Sequence, residues 1–229
     1  MSDWISFFDS DHSIYVNARH RAVHALLTGN GMLAHVKRGD RVLDYGCGEA
    51  AYAERLVRET EALTLCEAAP NLREAVMRRV KHERFITMLS PEETAALPDG
   101  SFEVVILHSV SQYLSPAQLD ELLKLFRRLL TPQGKLVIGD VVQPDTPAWK
   151  DALALLRFGW RDGFFLAAFG GLFHTALSDY SRLRRDGGLS RYAEKDMLAK
   201  LDSARFRGER QAENIGHLQT RMTFVAVPR

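Results

Sequence analysis

The chain has 229 residues, 46% of them hydrophobic and 26% charged, with 30 Lys and Arg against 29 Asp and Glu. That size suits one domain, or one domain with a sizeable insertion, and the near-neutral balance gives no basic field of the kind that holds nucleic acid. The two cysteines, Cys47 and Cys66, make neither a disulfide framework nor a metal-ligand pattern, which fits a reducing, cytoplasmic setting.

The opening stretch "MSDWISFFDSDHS" is acidic and lacks the basic segment and apolar run of a signal peptide. Residues 13–36 predict a helix broken at Gly29-Asn30-Gly31. "RVLDYG" suits a short buried parallel strand, and after its glycines "AAYAERLVRE" has helical spacing. "ALTLCE" is a second strand ending in Glu67, and Pro70 opens a helix through Val80. "RFITML" is a third strand, and the turn Pro98-Asp99-Gly100 announces a fourth, "SFEVVILHS". Ser115, Pro116 and Gln118 form a capping box for a helix with Leu119, Leu122, Leu123, Phe126 and Leu130 on one stripe. "TPQG" ends that helix, and "KLVIGDVV" is the fifth strand.

Five strands alternating with helices mean a parallel sheet, which binds ligands beyond the carboxyl ends of its strands. Those ends are Asp44 to Gly48, Glu67, Leu89 to Glu92, His108 to Ser111, and Asp140. Past Pro144 the rhythm changes. Residues 146–186 are largely helical, "AEKDMLAKL" is a short helix, and "RFRGERQAE" and "TRMTFVAVP" are two strand-like runs. If the last run is antiparallel, the connecting "NIGHLQ" also lies on the ligand face. The expected division is a helical cap over 1–37, a cofactor-binding core over 38–143, a helical insertion over 144–202 and a final strand pair over 203–229.

Gly46-Cys47-Gly48-Glu49-Ala50-Ala51 matches G-x-G-x-x-A, and Glu67 follows Gly48 by 19 residues, so a dinucleotide fits the pattern. A bare strand-to-helix turn also accounts for the glycines. Asp44 discriminates between ligands. A pyrophosphate at this helix start would face a carboxylate, and at ~4 Å such like charges repel by about 4 kcal/mol. S-adenosylmethionine brings a sulfonium and an ammonium instead, and a bare backbone lets it approach.

At these residues the sequence resembles the class I (Rossmann-like) S-adenosylmethionine-dependent methyltransferases. "VLDYGCG" is similar to their first motif, "LTLCE" to their acidic second strand, "LPDGSFEVVILHSVSQYL" to their fourth-strand segment and "FRRLLTPQGKLVIGD" to the helix, turn and fifth strand. The resemblance implies an α/β fold with a seven-stranded sheet of order 3-2-1-4-5-7-6, strand 7 antiparallel, and a helical insertion between strands 5 and 6. It implies S-adenosyl-L-methionine as cofactor, with Asp44, Gly46, Cys47 and Gly48 on the methionine part and Glu67 and Ala68 on the ribose. Ser90, Pro91 and Glu92 fall at the adenine, His108 and Ser109 beside the reacting methyl. Tyr15 and Arg19 fall on an N-terminal helix over the cofactor.

Methyl transfer mainly needs alignment and exclusion of water, with a base where the nucleophile is a hydroxyl. His217, His174 and Asp140 are the candidates for that part, while His12, His20, His24, His35 and His82 read as ordinary, with no metal site among them. Residues 153–177 carry Phe158, Trp160, Phe164, Phe165, Phe169 and Phe173. They suit a lid over an apolar pocket, with Phe165 and Phe169 as its selectivity residues, or a peripheral membrane contact, or a self-contained helix pair or homodimer interface. Arg157, Arg161 and Asp162 exclude a transmembrane span there, and Arg182, Arg184 and Arg185 follow on a charged face. The expected function is transfer of a methyl group to a small, largely apolar metabolite at oxygen. The alternatives are an N- or S-methyltransferase, a catalytically inactive binding module, and a nicotinamide-dependent oxidoreductase that Asp44 disfavours. Asp44→Ala and Gly46→Val are each expected to weaken S-adenosylmethionine binding severely and leave the fold intact.

Overall fold

Strand β1 (Arg41–Tyr45) buries Val42, Leu43 and Asp44 at the centre of the molecule. In this computed structural model, which describes residues 3–10, 15–144, 148–176 and 189–229, β1 pairs in parallel with β2 (Ala62–Cys66) on one side and β4 (Phe102–His108) on the other. Beyond them lie β3 (Ile86–Leu89) and β5 (Leu130–Val141), also parallel. Strand β7 (Met222–Pro228) runs antiparallel to β5 and to β6 (Phe206–Arg210), and the sheet order is β3-β2-β1-β4-β5-β7-β6. This is the α/β topology expected above, with the helical insertion between β5 and β6.

Alternation along the strands divides the core. Leu43, Val105 and Leu107 face one layer, where Leu119, Leu123 and Phe126 of helix α6 (Pro116–Leu129) and Met197 and Leu201 of α9 (Glu194–Ser203) cover them. Val42, Val104 and Ile106 face the other, against Met32 of α2 (Ala18–Leu33), Leu56 of α3 (Ala53–Leu56) and Val76 and Val80 of α4 (Pro70–Val80). Helix α6 starts at the capping box expected from sequence: Ser115 N–H donates to Gln118 Oε1 at 2.8 Å, and Gln118 N–H to Ser115 Oγ at 3.3 Å.

Three local expectations fail for identifiable reasons. Helix α2 is unbroken at Gly29-Asn30-Gly31, because those glycines serve close packing rather than a turn. A Cβ at Gly29 would stand 2.9 Å from Tyr52 Cβ, and one at Gly31 would stand 3.0 Å from Ile215 Cγ2 and 3.2 Å from its Cα. "TPQG" does not separate α6 from β5. The strand begins at Leu130, and the stretch is taken up by a register shift from Phe102↔Leu130 to Val104↔Lys135. Helix α5 (Pro91–Ala95) has its own capping box, Ser90 with Glu93; it was not expected.

Helix α1 (Asp3–Phe8) crosses the carboxyl edge of the sheet. Trp4 packs 4.6 Å from Tyr113 after β4, while Asp9 accepts hydrogen bonds from Asn71 N (2.6 Å) and Nδ2 (3.0 Å) at the start of α4. In the insertion, α7 (Ala148–Asp162) turns at Gly163 into α8 (Phe165–Ala176). Phe158, Phe164 and Ala168 form a small core with Val16, Val23 and Leu27, so the hairpin docks on α2. Arg182, Arg184 and Arg185 lie outside the described residues.

Exposed helical glycines usually gain stability on replacement by alanine, by roughly 1 kcal/mol. Against Ile215 the sign reverses: Gly31→Ala is expected to lose about 1–3 kcal/mol. Asn30→Ala, at an exposed position of the same helix, is expected to be neutral or slightly stabilising. Paired denaturant melts check the contrast, and a stabilised Gly31→Ala protein would remove the close-packing account.

Candidate active site

The loop after β1 is shaped by one carbonyl and one carboxylate. Gly46 N–H and Cys47 N–H both donate to Cys66 O, at 2.8 and 3.0 Å, which folds the loop across the end of β2. Glu67 Oε2 then accepts from Gly48 N–H and its Oε1 from Ala69 N–H, each at 2.9 Å, while Arg73 Nη1 donates to the Glu67 carbonyl at 2.8 Å. A carboxylate has about four lone-pair sites, so this clamp still leaves acceptor capacity for hydroxyls. Ala68, half-buried, completes the turn.

The two glycines do different work. Both have positive φ, 76° at Gly46 and 57° at Gly48. A Cβ at Gly46 would lie 2.4 Å from Val110 Cγ2, whereas one at Gly48 would meet nothing within 4 Å. Gly46 is therefore a packing residue of the fold, which corrects the expectation that Gly46→Val spares it. Gly48 borders open space. Cys47 is buried, and burial pushes its thiol well above the ordinary range.

Asp44 closes the bottom of this space. It is 1% exposed, accepts a 2.6 Å hydrogen bond from Tyr52 Oη, and has its pKa pushed up to about 7 by burial; the Tyr52 bond opposes that rise and the Glu67 charge adds to it. The carboxyl is thus not a fixed negative charge: near neutrality it is poised between states, and a cation beside it would draw off the proton.

Across the cleft, β4 and β5 end in two strained non-glycine residues, Ser109 (φ 58°) and Asp140 (φ 62°). Hydrogen bonds hold both. Ser109 Oγ donates to Asp140 Oδ2 at 2.8 Å, and Asp140 N–H donates to Asn214 Oδ1 at 3.1 Å. The same Oδ1 accepts from Thr223 Oγ1 at 2.8 Å, while Asn214 Nδ2 donates to the carbonyls of Ile215 and Leu218. Asn214 so stitches the β6–β7 loop, with His217 on it, to the end of β5. Gly139 makes room for His108: a Cβ there would lie 2.6 Å from His108 Nδ1.

Above this point four elements bring aromatic rings together. His217 stacks on Phe158 of α7 at 4.1 Å and stands 5.7 Å from His24 and 6.4 Å from His20 of α2. His20 stacks on Phe164 at 5.0 Å, and Tyr15 packs 5.4 Å from both His20 and His24. Burial keeps these imidazoles neutral, lowering His24 and His108 to about 4 and His217 to about 3, with His20 lowered too. Among them, His24 is the one whose proton affinity a carboxylate raises, and that carboxylate is Asp140; His217 instead feels Arg161 and the other two histidines. Among the described residues no cluster of three or more His, Cys, Asp or Glu is arranged to hold a metal ion.

Several sequence candidates sit elsewhere than expected. Arg19 is exposed and donates from Nε to Asp162 O at 3.1 Å, so it fastens the α7–α8 turn rather than facing the glycine loop. Ser90 is committed to capping α5 and Pro91 is its first residue, while Glu92 is exposed and hydrogen bonds to its own backbone N–H and to Ser90 hold its carboxyl below the usual range. His174 lies on α8, where its side chain falls outside the described ones. Phe169 is 51% exposed, and Phe165 packs against Phe169 and Trp160, so the rings facing inward are Phe158 and Phe164 instead. Tyr52, His20, His24 and Asn214 were missed, because nothing in their local spacing distinguishes them from helix and loop filler.

Residues 43–138 match the sequence profile of a family described as methyltransferase domain. Over 175 residues the chain is 27% identical to a demethylmenaquinone methyltransferase of Staphylococcus haemolyticus, covering 73% of this chain and 68% of that one. Its fold is similar to that of a magnesium protoporphyrin IX methyltransferase from Synechocystis with bound S-adenosylhomocysteine, at a TM-score of 0.62 and 16% identity over 99% of this chain and 93% of that one. An N-methyltransferase from Bradyrhizobium japonicum, in complex with S-adenosylhomocysteine, is similar at a TM-score of 0.59 and 16% identity over 98% and 95%.

Two substitutions separate the parts of the loop. Gly46→Ala is expected to unfold or strongly destabilise the protein through Val110, whereas Gly48→Ala costs only about 1 kcal/mol for its backbone and projects a methyl into the open space. Asp44 supplies a pH test. Its folded pKa is raised, so its contribution to stability is complete below the unfolded value of 3.8 and is lost as pH rises through about 7. Asp44→Asn should therefore gain stability relative to wild type as pH rises from about 4 to about 7, with a constant difference above about pH 8, and thermal melts showing parallel pH profiles between pH 4 and 7 would refute that burial argument.

Proposed function

We propose that this chain, whose residues 43–138 match the profile of a methyltransferase domain, is a class I S-adenosylmethionine-dependent methyltransferase that methylates a small, largely apolar acceptor at oxygen. The observation that carries this is the chamber of neutral histidines and inward phenylalanines that α2, the α7–α8 hairpin and the β6–β7 loop close over the ends of β4 and β5.

The residues present fit the cofactor. Gly48 leaves a cradle that a side chain would fill, Asp44 is a buried acid in need of a cation, and the Glu67 carboxylate retains acceptor capacity. Gly46, Cys47, Gly48 and Asp44 would hold the methionine part, Glu67 and Ala68 the ribose, and Glu92 the adenine side. Tyr15, beside His20 and His24 and within range of the Glu49 charge, would close the entrance from α2. When bound, S-adenosylmethionine supplies an electrophilic methyl on a positively charged sulfur.

The chain's own residues would supply orientation, dryness and a proton acceptor. Phe158 and Phe164 wall an acceptor and exclude water, which strengthens every polar contact inside. His24 is the base of this reading. Its imidazole is neutral above its lowered pKa, and the Asp140 carboxylate stabilises the imidazolium that forms when the acceptor hydroxyl gives up its proton. Asp140 is itself fixed by Ser109 Oγ and Asn214. His217 has Arg161 in place of a carboxylate and is better suited to form a wall, stacked on Phe158. A demethylmenaquinone methyltransferase among the relatives is consistent with an apolar acceptor.

Incubation with labelled S-adenosylmethionine and a panel of apolar hydroxyl, amine and thiol compounds, read by mass spectrometry, tests the acceptor atom. Methyl ethers are expected, and turnover confined to amines or thiols would overturn the oxygen assignment. His24→Gln is expected to lower kcat by roughly 10²–10⁴ with S-adenosylhomocysteine affinity unchanged, and His217→Gln to act mainly on KM. A His24→Gln protein with wild-type kcat removes the proposed base.

A further inference from the structure

Helix α4 holds both sides of the glycine loop's surroundings through its arginines. In its first turn Arg73 Nη1 donates to the Glu67 carbonyl at 2.8 Å. In its last turn Arg79 reaches across to the loop itself: Nη1 donates to Glu49 O and Nη2 to Ala50 O, both at 2.7 Å. Glu54 of α3 stands 3.6 Å from Arg79 Nε and adds an ion pair. A cation at a helix C-terminus ordinarily serves the last carbonyls of its own helix. Arg79 directs its fork to another element instead. The neighbouring Arg78 stays on α4, paired with Glu74 one turn back at 2.7 Å, with both side chains exposed.

The carbonyls that Arg79 holds belong to the most constrained part of the loop. Ala50 is buried and has φ 42°, in the left-handed region that residues with a Cβ avoid. Its N–H donates to Cys47 O at 3.0 Å, which closes a turn over residues 47–50. Gly48 lies inside that turn, with its own N–H on Glu67 at 2.9 Å. The open space at Gly48 is therefore bounded by a turn that ends on an unfavourable alanine. Among the described residues, Ala50, Ser109, Asp140 and Arg205 are the non-glycine residues with positive φ. The first three stand at the carboxyl ends of β1, β4 and β5, and side-chain hydrogen bonds pin each of them: Asp140 takes Ser109, Asn214 takes Asp140, and Arg79 takes Ala50.

We propose that Arg79 is a positioning residue for S-adenosylmethionine: its two bonds lock the 47–50 turn in the left-handed form, so that the cradle at Gly48 is shaped before the ligand arrives. The role rests on the reading of the Gly46–Gly48 loop as the methionine site. Without the guanidinium, Ala50 is free to return to negative φ, which turns the Glu49 and Ala50 peptide units and redraws the turn around Gly48. The ligand then has to restore that turn as it binds, and its affinity falls by the corresponding factor.

Calorimetric titration with S-adenosylhomocysteine, with a denaturant melt of each protein beside it, tests the role. Arg79→Met is expected to weaken binding about tenfold or more. Arg79→Lys, whose single ammonium lacks the fork that spans both carbonyls, is expected to fall between that variant and wild type. Arg78→Met is expected to bind as wild type does. The signature of positioning is rescue. Glycine carries no penalty at positive φ, so Ala50→Gly in the Arg79→Met background is expected to recover about fivefold or more of the lost affinity. Wild-type affinity in Arg79→Met, even with a lowered melt, overturns the proposal and leaves Arg79 a brace of the fold. An equal loss in Arg78→Met also overturns it, because net charge then accounts for the effect, and so does a loss that Ala50→Gly fails to recover. If Arg79→Met does not fold, Arg79→Lys with and without Ala50→Gly makes the same comparison. Gly48→Ala separates this role from the reading beneath it. Weakened binding there with Arg79→Met unaffected strikes the positioning role alone, whereas unchanged binding in both removes the loop as the methionine site.

Discussion

A carboxyl group in the middle of a sheet has few ways to remain there. Asp44 lies one residue from the end of the central strand with both neighbours, β2 and β4, paired alongside it, and the Tyr52 hydroxyl donates a hydrogen bond to it. Ionised and buried without a compensating charge it would be costly, so the proton stays on to about neutrality. The position is fixed by the strand, the space above it by Gly48, and the distance to β2 by Glu67 and the Cys66 carbonyl. Remove the acid and the loop is a strand-to-helix turn; keep it and the loop is a receptor for positive charge.

The opposite wall is built on different terms. There the backbone is strained at Ser109 and Asp140, and hydrogen bonds to each other and to Asn214 pin both residues. Such strain persists only where the surroundings over-determine it. Asn214 links that strained end of β5 to the β6–β7 loop, so the placement of His217 depends on the same bond that fixes Asp140. Helix α2 then connects the two walls: Gly29 and Gly31 let it lie close against Tyr52 and Ile215, one from each side of the cleft. The unbroken helix carries His20 and His24 over the gap. Fold, strain and chemistry meet in those few contacts.

Much of this was legible in the sequence where the signal is local. Pro70, the Ser115 capping box, the period-2 strands and the Gly46–Gly48 loop each announce an element through its own residues, and their chain order yields the sheet. What was not legible depends on partners far away in the chain. Gly29 and Gly31 look like a helix break until Tyr52 and Ile215 are seen against them. His20 and His24 read as ordinary residues until Phe164 and His217 pack on them across some 140 to 200 positions of sequence. The charge on Asp44 was inferred from residue type, whereas burial decides it. In sequence the insertion's aromatics form one set, and the hairpin splits them into the inward Phe158 and Phe164 and the exposed Trp160 and Phe169.

The proton released when S-adenosylmethionine binds reports the state of Asp44 directly. Calorimetric titrations in buffers of different ionisation enthalpy report that number. If a cation settles beside Asp44, its proton must leave, so net release approaching one proton near pH 6 is predicted, falling as pH rises through about 7 and turning toward uptake above about pH 8, where the ligand's own α-amino group must regain a proton to bind as a cation. The histidines of the chamber, lowered to about 3 to 4, are silent over that range. Asp44→Asn should bind without the release. A wild-type binding enthalpy that is independent of buffer from pH 6 to 8.5 would contradict the account.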